Sequence, residues 1–132
     1  RVKMEEAGNN IMLLSREHIT DLKERLRRRW SPQVIVVDSV QYMPGFRMSD
    51  YVKLMAEFSD RKLFIWVSHE EESKPAGKLA KQILYDSDVK MRVEGYKAFI
   101  TTRYENKELN EGGAPYIIWE EGAARFCADL QL

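Results

Sequence analysis

Three polar side chains stand where apolar runs end: Asp38, His69 and Arg103. Asp38 closes Gln33-Val-Ile-Val-Val-Asp38, four β-branched residues leading into a carboxylate. A carboxylate at the carboxyl end of a strand can hold a hydrated metal ion, most often Mg2+ on a nucleotide phosphate. His69 follows Leu63-Phe-Ile-Trp-Val67 and offers a neutral polar group to a phosphate oxygen. Arg103 follows a third run and offers a mobile cation to developing charge. An acid, a polar sensor and a cation suit phosphoryl transfer, where catalysis is mostly positioning and electrostatics. Each also has a bland reading. Asp38 can simply end a strand and cap the next turn, His69 can be an ordinary loop histidine, and Arg103 a surface strand residue.

These groups act together only if the elements before them share a sheet edge. The uninterrupted run before Asp38 suits a central parallel strand covered on both faces. The apolar run at residues 11–14 reads as an earlier strand. Ile19, Leu22, Leu26 and Trp30 recur at helical spacing among charged residues, and Ser31-Pro32 ends that helix. Pro44-Gly45 marks a turn. Ser49 or Asp50 can cap a second helix with Val52, Met55 and Phe58, and Leu54 beside them, as its apolar positions. Strand, helix, strand, helix, strand with short links argues for a parallel sheet, whose carboxyl edge gathers ligands.

The later part of the chain changes style. A polar loop from Glu70 to Gly77 leads into a short helix from Lys78 to Tyr85. Val89, Met91 and Val93 alternate with charges, and Glu94-Gly95 turns into a second alternating run, which is a hairpin signature. Residues 110–113 form another turn, Tyr116 to Trp119 supply a last strand, and Glu120-Glu-Gly122 turns again towards Phe126. Residues 2–7 read as a helix end stopped by Gly8 and Asn9.

Composition sets outer limits. The 132 residues fit one domain, and 44% hydrophobic content is enough for a core without disulfides. The net charge is zero, so any nucleic-acid contact must come from a local patch. Arg27-Arg-Arg29 is the obvious candidate, but reads as a solvated helix face. The tryptophans read as core or subunit contacts. Cys127, the one cysteine, reads as a small buried apolar residue. No membrane-length apolar run or signal peptide is visible, so the chain reads as cytoplasmic. It begins with Arg1, which reads as a fragment or a trimmed chain.

The order of these motifs resembles a family. Residues 32–41, Pro-Gln-Val-Ile-Val-Val-Asp-Ser-Val-Gln, look like the Walker B strand of RecA-like P-loop ATPases, nearest the RadA/Sms and DnaB-helicase branches. Val67-Ser-His69, the polar loop and Ala76-Gly77 are similar to the strand end and loop that follow in that branch. Ile100-Thr-Thr-Arg103-Tyr104 resembles its Lys-Asn-Arg-Phe segment. The resemblance covers nearly the whole chain. It implies that Asp38 orients Mg2+, with Ser39 and Gln41 beside it at the nucleotide. His69 would sense the γ-phosphate, and Arg103 would reach a neighbouring subunit's ATP. The 70–77 loop, with Lys74, Lys78 and Lys81, would face single-stranded DNA. The implied partners are further copies of the chain in a ring or filament.

The departures matter equally. No Gly-x-x-x-x-Gly-Lys-Ser/Thr occurs in these residues, so the phosphates have no cradle of backbone N–H groups. The family's catalytic glutamate is absent, and Glu5 and Glu6 sit in a helix-like stretch. Thr101 replaces a lysine, Glu105 replaces a glycine, and Glu70-Glu-Glu72 makes the DNA-facing loop acidic. The expectation is an α/β fold: a RecA-like parallel sheet flanked by helices, extended by antiparallel C-terminal strands. The whole chain, 1–132, would be one partial ATPase domain from Walker B onward. Its parent would be an ATPase of DNA recombination, repair or replication, and this chain alone would not hydrolyse ATP. The alternative is a catalytically inactive RecA-like module for assembly or protein interaction.

Overall fold

A computed structural model of the chain describes residues 8–71, 74–104 and 114–129. The helix end expected at 2–7, the turn at 110–113 and Glu105 lie outside them. The chain is mixed α/β and divides into two compact units, Arg1–Gln82 and Ile83–Leu132.

In the first unit, a 3-10 turn at Gly8–Asn10 precedes helix α1, Ile19–Arg27. Its buried residues, Ile19, Leu22 and Leu26, follow helical spacing. His18 caps the start by accepting the Thr20 N–H at Nδ1. Against this cap packs Gly45, in the left-handed region at φ +70°. A Cβ there would lie 2.1 Å from His18 Nε2, so glycine is required twice over.

Helix α1 stops short of the expected Trp30. Arg28 is extended, and Ser31 Oγ donates to the Leu26 carbonyl at 2.8 Å. A side chain that satisfies a terminal carbonyl replaces the next helical turn. Trp30 is consequently 88% exposed and is not a core residue.

Strand β1, Val34–Asp38, pairs in parallel with β2, Leu63–Val67, in the register Val34↔Leu63 to Asp38↔Val67. Helix α2, Met48–Phe58, makes the crossover. Asp50 accepts the Arg47 N–H at 3.3 Å from the first turn, so Arg47, not Ser49 or Asp50, holds the cap position. The buried stripe of α2 is Tyr51, Leu54 and Phe58. It lies one position before the expected Val52, which is 57% exposed. The two apolar stripes overlap in sequence. Tyr51 sets its ring edge-on to Trp66 at 5.8 Å, and Trp66 stacks with Phe46 and Phe64 at 5.6 and 5.4 Å. That aromatic cluster extends a core of Ile19, Leu22, Leu26, Ile35, Val37, Leu54 and Phe58.

The broader parallel sheet is not present among the described residues. Residues 11–14 form no strand, and all four are exposed. Extended backbone needs a neighbour for its hydrogen bonds, and none pairs with these residues here. The β1–β2 pair buries one face and leaves Val34, Val36, Leu63, Ile65 and Val67 exposed on the other. The expectation of cover on both faces is therefore corrected for the described residues. The polar loop after β2 contains a short antiparallel pair, β3 (Glu70–Glu71) with β4 (Lys74–Pro75). Helix α3, Lys78–Asp86, follows and crosses the unit boundary.

The second unit contains a sheet of its own, in the order β5 (Val89–Glu94), β6 (Lys97–Thr102), β7 (Tyr116–Ile117). It is not an extension of the β1–β2 sheet. β5 and β6 are the expected antiparallel hairpin, closed by Gly95 and Tyr96 at φ 55° and 60°. Two left-handed residues match the twist of the flanking strands, as a type I′ turn requires. Residues 120–122 begin helix α4, Glu120–Asp129, where a turn was expected. Cys127 is exposed, not buried, and Lys97 Nζ lies 3.5 Å from its sulfur. Among the described residues no helix is long and apolar enough to cross a membrane.

Candidate functional site

The parallel register sets Asp38 opposite Val67, so the two strands end level. Asp38 is exposed at this edge, and the Asp38–Ser39 peptide is cis. The chain then makes a 3-10 turn, Val40–Tyr42, while β2 continues into Ser68 and His69. The ends of the two strands are thus neighbours, as the expected parallel crossover places them.

Contacts across this edge come from the turn after Asp38. Gln41 Nε2 donates to Ser68 Oγ at 2.7 Å and to the Ala76 carbonyl at 3.2 Å. Its Oε1 accepts the His69 N–H at 3.4 Å. The Ala76 N–H donates to the His69 carbonyl at 2.9 Å, closing the base of the β3–β4 hairpin. Tyr42 sets its ring edge-on to the His69 imidazole, 5.7 Å between centroids. The amide of Gln41, expected at the nucleotide, is engaged on the hairpin. Ser39 is buried, and its Oγ has no hydrogen-bond partner among the described residues. An orphaned hydroxyl costs free energy and calls for a partner.

Asp38 supplies one hard oxygen donor. Among the described residues no group of three or more His, Cys, Asp or Glu side chains could hold a metal. An all-protein cage is not the form Mg2+ needs. It keeps several waters and uses one or two carboxylates plus the phosphates that bring it. The donor set fits a metal delivered on a nucleotide.

Arg103 belongs to the second unit. It follows β6 directly, its N–H donates to the Asp88 carbonyl at 2.9 Å, and its guanidinium donates to the Tyr85 carbonyl at the end of α3. Of the three lysines expected to face DNA, Lys74 and Lys81 line one surface cavity of about 660 Å3 with Glu71 and Pro75. Lys78 opens α3 and is exposed. Glu71 opposes phosphate in that cavity.

The arginine run 27–29, expected to be a solvated helix face, leaves the helix after Arg27 and gains neighbours that spacing did not announce. Arg27, Arg28, Arg29, Ser31, Gln33, Arg61 and Lys62 line a cleft of about 260 Å3 where α1 ends and β2 begins. Arg61 and Lys62 lie more than thirty residues after the arginine run, so only folding assembles it. Arg27 is engaged by Glu57, with bonds of 2.6 and 2.8 Å. That hydrogen bond, above all, raises the Arg27 pKa and lowers that of Glu57. Lys62 donates to Ser31 Oγ at 2.7 Å and the Pro32 carbonyl at 2.9 Å. Burial, and then the charge of Arg61, hold its pKa below the usual lysine value.

Comparison with family models, curated proteins and solved structures finds no match to the chain.

Proposed function

We propose that this chain is the Walker B part of a cytoplasmic, RecA-like ATPase that handles DNA, working as a ring or filament of identical subunits. The observation that carries the reading is the level ending of two parallel strands, with a carboxylate on one and His69 two residues beyond the other. A β–α–β crossover with an acid at the strand's carboxyl end is the arrangement that serves nucleotides in open α/β sheets. In this reading the bound magnesium nucleotide supplies the phosphoryl group and neutralises its charge. Asp38 orients the metal's waters, and His69 stands at the phosphate side of the same edge. Gln41 and Tyr42 hold His69 and its hairpin to the turn that follows Asp38. Arg103 is the cation for a neighbouring subunit's nucleotide, and Lys74, Lys78 and Lys81 are the DNA-facing charges. The phosphate-cradling loop comes from outside these residues.

The test is ATP turnover by the complete protein that carries this chain. Asp38→Asn abolishes it, while Arg103→Ala lowers it and leaves nucleotide binding largely intact. The 132-residue chain alone shows no micromolar affinity for ATP with Mg2+ in calorimetry. Unchanged turnover in Asp38→Asn overturns the reading, and unchanged turnover in Arg103→Ala removes Arg103 from its role.

A further inference from the structure

The cleft at the end of α1 departs locally from a chain of zero net charge. Five cations meet there: Arg27, Arg28, Arg29, Arg61 and Lys62. Among the described residues, the carboxylates that pair with them are Glu57, on Arg27, and Asp60, 3.5 Å from Arg61. Arg28 and Arg29 make no salt bridge among the described residues, and both are exposed. Lys62 spends two of its three N–H donors on Ser31 and Pro32, so one remains. Arg29 lies over the Trp30 ring, 5.3 Å from its centroid. At 88% exposed, that indole offers its other face to solvent.

A bare cation cluster would suit any polyanion. A large, open aromatic face beside it is a more selective feature. Bases stack on such faces whatever their sequence, while Arg and Lys track the phosphates. An acidic peptide would use the cations and leave Trp30 without a role.

We propose that this cleft binds a segment of single-stranded nucleic acid, with phosphates on Arg28, Arg29, Arg61 and Lys62 and a base stacked on Trp30. A bound phosphate also offsets the repulsion between Lys62 and Arg61. The site lies at the amino ends of β1 and β2, since Gln33 and Lys62 immediately precede those strands. The length of a five-residue strand, about 13 Å, separates it from Asp38. It is therefore independent of the nucleotide reading, and its test needs no ATP.

The experiment is a fluorescence anisotropy titration of the full chain with a labelled oligothymidylate of about 15 nucleotides, over a range of salt. Arg28→Ala/Arg29→Ala is expected to weaken binding at least tenfold and to reduce the log–log salt slope by roughly 1.4, about 0.7 for each lost phosphate contact. Trp30→Ala is expected to weaken binding about tenfold, with Trp30→Tyr recovering most of it. All three variants should keep the wild-type circular dichroism, because these side chains are exposed. Lys74→Ala/Lys78→Ala/Lys81→Ala should retain the Trp30-dependent component. Absence of oligonucleotide binding overturns the proposal. So does binding that Trp30→Ala leaves unchanged, or that polyglutamate or inorganic phosphate competes away at equal charge.

Discussion

Gln41 and His69 hold each other across the carboxyl ends of the parallel strands. The His69 N–H donates to Gln41 Oε1, and Gln41 Nε2 lies 3.4 Å from the His69 carbonyl. The same amide reaches Ser68 and Ala76, so one side chain ties both legs of the β3–β4 hairpin to the turn after Asp38. A change at the Asp38 edge has a direct mechanical route to that hairpin.

Gln41→Ala should therefore loosen the hairpin base more than the core. A typical hydrogen bond contributes about 1 kcal/mol net, so amide exchange at Ala76 should speed up about fivefold. Amides of Ile35 and Val37 should change much less. Gln41→Glu keeps the acceptor for His69 but loses the donor contacts to Ser68, His69 and Ala76, so its exchange should fall between wild type and Gln41→Ala. Hydrogen exchange read by NMR gives the answer. Unaltered exchange at Ala76 would mean that the hairpin's own ladder holds it.

The packing of α2 separates two neighbouring apolar positions. Leu54 is fully buried, and Leu54→Ala should cost about 2–5 kcal/mol through lost burial and the cavity left behind. Val52 is exposed, and Val52→Ala should stay within about 0.5 kcal/mol. Urea unfolding of both variants checks the pair. Equal losses would move the buried stripe back to the one that hydropathy alone suggested.

Glu57 links stability to acid. Its hydrogen bond from Arg27 lowers its pKa in the folded state, against a smaller opposing effect of burial. A carboxylate with a depressed folded value contributes stability above its ordinary range and loses it as pH falls through the folded value. Wild type should exceed Glu57→Gln in thermal midpoint at neutral pH, and the gap should close in acid. Salt should shrink the gap too, because the pair is exposed. A gap that persists below the carboxylate range would point to packing of the Glu57 side chain instead.

Local pattern and tertiary context contributed differently here. The β1 and β2 runs, the α1 stripe through Leu26 and the β5–β6 hairpin follow from periodicity and turn residues, because those signals are carried by consecutive side chains. Asp38 was readable as a strand end for the same reason, whereas β2 stops at Val67, two residues before His69. The α2 stripe was not, since Tyr51 and Val52 both satisfy helical spacing and only the Trp66 ring across the core chooses between them. Residues 11–14 look like a strand, but pairing is a property of a neighbour and not of the run itself.

By itself, then, the order of residues determined β1, β2, α1 through Leu26, the β5–β6 hairpin and where the strand-end carboxylate stands. Tertiary structure decided the rest. It released Trp30 from the helix through the Ser31 bond to Leu26, engaged Gln41 on the hairpin, and set Arg61 and Lys62 beside Arg28 and Arg29. Each of these depends on groups brought together from separate parts of the chain, and no local spacing encodes that meeting.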